Sequence, residues 1–283
     1  MTTYPDVNVV LRHFLSNIRT ILGDHFVAMY VYGSLALGDF DPRSSDIDFV
    51  VVTDAALSDD LFAALRDMHA RFDAGDSPWA TEVEAIYIPR VALRRYDPDR
   101  ARHPHIQRGE TLVMHQVDSG WVPLLHIIRE HGIALVGPDP RTLIDPVDRQ
   151  DIQRAVAPIA ELWFGSALHD PALLRYRGPH TFLVLTLCRI LYTLDSGAVV
   201  SKPAAARWAQ KSFAGRWDGL IEHALAWQKD LDRQNTPSDD EVSDTRALIE
   251  YTLARCQTFR VLTDDQPFEI NSGRPTERSR SEA

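Results

Sequence analysis

Cysteine is scarce: Cys188 and Cys256 are the only two among 283 residues, too few for a disulfide framework. Uninterrupted apolar stretches of membrane-spanning length are missing as well. Basic residues are in the minority, with 30 Lys and Arg against 40 Asp and Glu and a net charge of −10. Such a chain repels a phosphate backbone unless its cations gather in one groove, so neither nucleic acid nor a membrane is an expected partner. The opening Met-Thr-Thr-Tyr-Pro-Asp has neither the basic region nor the apolar run of an export signal, and the cytoplasm is the expected compartment. What is present is an ordinary globular mixture, 45% hydrophobic and 25% charged. The length suits one large or two ordinary domains of roughly 150 residues each.

Periodicity orders the first half. Val7, Leu11, Phe14, Leu15, Ile18 and Leu22 recur at three and four residues and predict a helix from Pro5 that ends at Gly23. Phe26 to Tyr32 reads as a strand, followed by a loop rich in Gly, Asp, Pro and Ser up to Ser45. Asp46 to Thr53 reads as a second strand buried on both faces. Ser58 caps a helix striped by Leu61, Phe62, Leu65, Met68 and Phe72, and Glu82 to Ile88 reads as a third strand closed by Pro89. Tyr96 to His115, rich in Arg, Asp, Pro and His, is expected to be a long loop or short helices. Beyond Gly137-Pro138-Asp139-Pro140 helical patterns take over, near 148–168, 181–195, 203–213, 216–232 and 241–262. The expected division is 1–140, 141–263, and a mobile tail over 264–283.

One stretch joins punctuation to paired carboxylates. Gly33-Ser34 ends a strand, eleven residues follow, and Asp46-Ile47-Asp48 opens the next strand. Alternation puts Asp46 and Asp48 on one face. Their mutual repulsion is costly without a cation between them, and hard oxygen donors of this kind suit Mg²⁺ together with substrate phosphates. Gly33 allows close backbone approach, and Ser34 brings a hydroxyl and an amide for a phosphate. Glu82 and Glu84 share a face of the third strand, and either can add a third carboxylate as a ligand or as a proton acceptor.

These residues resemble a known group. Gly33-Ser34 with Asp46-Ile47-Asp48 is similar to the signature of the polymerase-beta-like nucleotidyltransferase superfamily. The segments Arg129-Glu130-His131, Ala134-Leu135-Val136-Gly137-Pro138, Val184-Leu185-Thr186-Leu187, Arg189-Ile190, Ser201-Lys202 and Ala206-Arg207-Trp208-Ala209 resemble the aminoglycoside (3'')(9) adenylyltransferases. The resemblance implies an α+β fold: an N-terminal nucleotidyltransferase domain with a mixed sheet and helices, then a C-terminal all-α helical bundle. It implies ATP as co-substrate with Mg²⁺, and a monomer that adenylylates a hydroxyl of an aminoglycoside or aminocyclitol such as spectinomycin or streptomycin. It further implies that Asp46 and Asp48 bind the metal, that Glu82 is the base, and that Gly33, Ser34 and Ser45 meet the triphosphate. Asp118, Arg189 and Lys202 fall at ATP contacts, and Trp227 falls where the family has a tyrosine near the nucleotide. Trp163 corresponds to a tryptophan implicated in streptomycin binding.

The acceptor side departs from the pattern. The stretch after Trp163 is longer than the family's, and Pro179-His180 replaces an acidic pair that would face a polycation; Asp170 is a possible substitute. Taken without the resemblance, Asp118 before Ser119-Gly120 reads as a turn or cap residue, Trp227 as core, and Arg189 and Lys202 as helix-surface and helix-start residues. His103, His105 and His115 match no closed zinc set. Arg175 and His180 match the spacing of helical ribonuclease toxins, but Gly178-Pro179 between them is expected to break that helix. Two other readings stand beside antibiotic adenylylation: transfer to a different small molecule or a protein, and a nucleotide-binding regulator that transfers nothing.

Overall fold

The computed structural model describes residues 1–170, 174–228 and 236–263; the expected tail and the last residues of the helix expected to reach 232 fall outside them. Among the described residues, six strands form one mixed sheet: β1 Phe26–Val31, β2 Ile47–Thr53, β3 Val83–Pro89, β4 Arg102–Ile106, β5 Val113–Gln116 and β6 Ile133–Val136. Their order is β5-β4-β3-β2-β1-β6. β2 and β3 run parallel, and the other neighbours are antiparallel. A parallel pair needs a crossover, supplied here by α3 Asp59–Asp73, whose first turn is capped by Ser58 accepting from the Leu61 amide.

Each face of the sheet is covered differently. Phe49, Val51, Ala85 and Tyr87 meet α1 Pro5–Leu22 and α3 through Val7, Leu11, Phe14, Leu65 and Met68. Each large side chain so buried stabilises the fold by roughly 1.5–3 kcal/mol. α1 stops where predicted, at Gly23 with φ +53°. On the opposite face Val50, Val52, Ile86 and Ile88 meet α5 Trp121–His131 through Trp121, Leu125 and Ile128. Ile152 of α6 Arg149–Val156, together with Ile144 and Val199, is buried in this same cluster, so packing crosses the division expected at 140/141.

The second core centres on α8 Arg177–Ser196, with Val184, Leu187, Cys188 and Leu191 buried among α7 Ile159–Phe164, α9 Lys202–Ser212, α10 Asp218–Gln228 and α11 Asp239–Thr263. Ala205, Ala206 and Ala209 let α9 lie close against its neighbours. Both cysteines are buried free thiols. No helix of the described residues is long and apolar enough to cross a membrane.

Four expectations change. The loop expected after Tyr32 contains a short helix, α2 Gly33–Leu37. Tyr96 to His115 holds a 3₁₀ turn, Pro98–Arg100, and two strands, β4 and β5, rather than a long loop; β5 is a wholly exposed edge strand and so carries no apolar pattern to read. Here α4 is the single turn Arg90–Leu93. The helix expected over 148–168 breaks at Pro158 into α6, α7 and a 3₁₀ turn. Finally, Gly178-Pro179 does not break α8 but begins it, since a proline in the first turn has no intrahelical amide bond to lose. Arg175 lies before that helix and pairs with Asp239 at 3.2 Å, whereas His180 is buried and bonded to Thr245 at 2.7 Å. They do not converge.

Candidate active site

The parallel register of β2 and β3 builds the acidic centre. Asp48 lies opposite Glu84, and Asp46 stands one residue before β2. Oxygens of Asp46, Asp48 and Glu84 all lie within 4.8 Å of one another, the one such metal-compatible group among the described residues. Burial, then the neighbouring Asp46 and Glu84, raises the Asp48 carboxyl well above its usual range; burial followed by Glu84 raises Asp46. Three crowded carboxylates, two of them resisting ionisation, are the donor chemistry of a divalent cation site.

The turn in front is shaped around this centre. Gly33 has φ +62°, and a Cβ there would come within 1.8 Å of an Asp48 oxygen, so glycine at this position makes room for the carboxylate itself. The Ser34 hydroxyl is buried with no hydrogen-bond partner, an orphan that a phosphate oxygen would satisfy. Ser45 closes the turn, its hydroxyl accepting from the Asp41 amide at 3.1 Å. Tyr32 donates to Glu84 Oε1 at 3.4 Å, and burial followed by the three carboxylates raises its phenol well above 10, so it remains a donor.

Glu84 is the glutamate that joins the aspartates. Glu82, to which the resemblance gave the role of base, is ion-paired with Arg108, which also reaches the Ser44 carbonyl at 3.4 Å. The two glutamates share a face, as alternation requires; only the register against β2 separates them.

Cations arrive from the helical layer. Lys202 is the first residue of α9, and Arg189 lies within α8. The Lys202 amine is pushed down to about 8 by burial and by Arg189, against the pull of Asp46, Asp48 and Glu84. Arg189 is lowered by burial, with Asp48 acting against it. Lys202 Nζ stands 4.0 Å above the Phe182 ring. The neighbouring Ser201 hydroxyl donates to Asp39 of the sheet layer and accepts from the Ala204 amide as the cap of α9. Thus the element carrying the lysine is tied to the loop that leads into Asp46.

Trp163 and Asp118 meet each other: the indole donates to Asp118 Oδ2 at 2.8 Å, while Oδ1 accepts from the Gly120 amide at 2.7 Å and starts the turn into α5. Trp163 is 41% exposed. Trp227 lies against His180, at 5.8 Å, and stacks on His223 at 6.0 Å. Asp170 is exposed at the end of the 3₁₀ turn. His103 and His115 face each other across β4 and β5, and the His105 and His115 rings are 5.4 Å apart. Sequence reasoning passed over Tyr32, Asp39 and Phe182. For Tyr32 a signal existed, its place immediately before Gly33; for the other two only the docking of the layers reveals them.

A nucleotidyltransferase domain family model matches residues 15–104, and a model described as aminoglycoside adenylyltransferase, C-terminal domain, matches 142–255. An aminoglycoside (3'')(9) adenylyltransferase of Rhizobium radiobacter is 30% identical over 227 residues, 77% of this chain and 78% of that protein. A spectinomycin 9-adenylyltransferase of Staphylococcus aureus is 28% identical over 244 residues, covering 76% and 90%. The crystal structure of a spectinomycin adenyltransferase from Enterococcus faecialis, with ATP and spectinomycin, superposes with a TM-score of 0.69 at 18% identity, over 88% of this chain and 99% of the other. At that identity the superposition speaks for the fold.

Proposed function

This chain belongs to the aminoglycoside (3'')(9) adenylyltransferase family, and from that premise we propose that it transfers AMP from ATP to a hydroxyl of an aminoglycoside or aminocyclitol antibiotic, with spectinomycin and streptomycin as the first acceptors to consider. The observation that carries this reading is the convergence of three carboxylates on β2 and β3 beneath two cations of the helical layer. Asp46 and Asp48, with Glu84 beside them, would hold Mg²⁺, which when bound neutralises charge on the triphosphate. Lys202 and Arg189 supply the fixed positive charge that meets the phosphates and the departing pyrophosphate. Ser34, with its unpartnered hydroxyl, and Ser45, in the turn before Asp46, contact phosphate oxygens. The acceptor oxygen forms its bond to the α-phosphorus as the bond to the pyrophosphate oxygen breaks, and the hydroxyl proton passes to Glu84. Glu84 is preferred to Glu82 as the base because it adjoins both aspartates while Glu82 is engaged by Arg108. Trp163, exposed and anchored by Asp118, offers a flat face to the acceptor. A nucleotide contact by Trp227 is supported by the family resemblance alone.

The test is pyrophosphate release by purified protein with ATP and Mg²⁺ against a panel containing spectinomycin and streptomycin, with mass spectrometry of the products. An AMP adduct on one of the antibiotics is the expected result. ATP binding without an adduct on any member of the panel would move the chain to another acceptor, a reading favoured by Pro179-His180 in place of the family's acidic pair.

A further inference from the structure

His105 is a histidine that packing does not explain. It sits on β4 opposite Ile86 of β3, 8% exposed, with its Nδ1 buried and unpartnered. An aliphatic residue would pack against Ile86 without stranding a buried nitrogen. What a leucine or valine could not do is reach the acidic centre. Glu84 lies two residues before Ile86 and so projects from the same face as the paired His105. His105 Nε2 lies 3.4 Å from Glu84 Oε1. Tyr32 approaches that same oxygen at 3.4 Å from β1's end, on the other side of β2.

We propose that His105 is a positioning residue for the transfer reaction: with Tyr32 it holds Oε1 of Glu84 from two sides, leaving Oε2 turned to the acceptor hydroxyl. The inference rests on Glu84 being the base. A carboxylate free to rotate presents the wrong oxygen, or the wrong angle, for much of the time, and misplacement of about 1 Å in a reacting group costs on the order of a hundredfold in rate. Both contacts are longer than a tight hydrogen bond, as is common before substrate closes a site. Arg108, the guanidinium of the β4–β5 side, is held on Glu82 and leaves Oε1 of Glu84 to His105 and Tyr32.

The experiment is a double-mutant cycle with ATP, Mg²⁺ and spectinomycin. His105→Leu should lower kcat roughly ten- to a hundredfold with KM for ATP unchanged, and His105→Gln, whose amide reaches where Nε2 stood, should recover most of the loss while His105→Asn should not. In a Glu84→Gln background His105→Leu should cost nothing more. An equal fold-loss in both backgrounds, or a native kcat for His105→Leu, overturns the proposal while leaving Glu84 as the base. A native rate for Glu84→Gln removes the base assignment itself. If His105→Leu is too unstable to assay, Tyr32→Phe, which deletes one hydroxyl and no volume, tests the same oxygen. The contact can also be read with no acceptor present, by ¹⁵N NMR of histidine-labelled protein. The His105 Nε2 signal should shift in Glu84→Gln, and an unmoved signal overturns the contact.

Discussion

The sheet layer and the helical layer hold their charged residues by different means. Asp48 and Glu84 are placed by backbone register, one residue opposite another in a parallel pair, and Gly33 is cut to the shape of the Asp48 carboxylate. Arg189 and Lys202 are placed by the packing of α8 and α9 in a separate helical core, with the Ser201–Asp39 bond as one tie to the loop before β2. Geometry within the acidic half is therefore set by hydrogen bonds that cannot slip without flipping every side chain of a strand. Geometry between the halves depends on how the layers sit, and chemistry needs both.

The largest effect should come from breaking the acidic half. Asp46→Asn or Asp48→Asn should abolish transfer in a pyrophosphate-release assay. The thermal midpoint without Mg²⁺ should stay level or rise, because removing one charge relieves repulsion among buried carboxylates. Native turnover in either variant would refute the metal assignment. Next, Glu84→Gln should lower kcat by roughly two to four powers of ten with ATP affinity little changed, the usual size of a lost general base. Glu82→Gln should lose far less, and the reverse order, read by steady-state kinetics, would return the base to Glu82.

A smaller effect distinguishes the tie between the layers from the cations it positions. Ser201→Ala removes the Asp39 bond and the cap of α9, at a cost of about 1 kcal/mol in denaturant unfolding. It should weaken ATP binding less than removal of Lys202 does. Acid sensitivity touches stability and leaves the ATP site's contacts in place, and on the sheet side it runs through one buried histidine. His69, bonded to Tyr87 at 2.7 Å, has its pKa pushed down to about 4 by burial. The unfolded chain takes up that proton near pH 6.5 and the folded chain only near 4, so in this window stability falls as pH falls, by about 2 kcal/mol at pH 5. Urea unfolding of His69→Phe at pH 7 and pH 5 should show a shallower decline than the native chain.

Legibility followed locality. α1, α3 and the first three strands could be read because their apolar periods lie within the segment itself, and the acid pair because a spacing of two has one meaning on a strand. β4 and β5 could not: Pro104 and the run of His and Arg carry no alternation, and their strand character comes from pairing with β3 and with each other. The choice between Glu82 and Glu84 was hidden for a related reason. Alternation puts both on one face, and only the pairing of Asp48 with Glu84, a contact between distant segments, tells them apart. Arg189 and Lys202 could be singled out by resemblance, yet the charge they lend the site exists only through packing of a separate core.

The claim that the site is completed across both layers is tested most directly by calorimetry of ATP with Mg²⁺ on Arg189→Ala and Lys202→Ala. Charge-assisted contacts to phosphate are worth on the order of 1.5–3 kcal/mol, so each variant should bind ATP about ten- to a hundredfold more weakly with the fold unchanged by circular dichroism. Native affinity in both variants would contradict a shared cleft and leave the nucleotide held by the sheet layer alone.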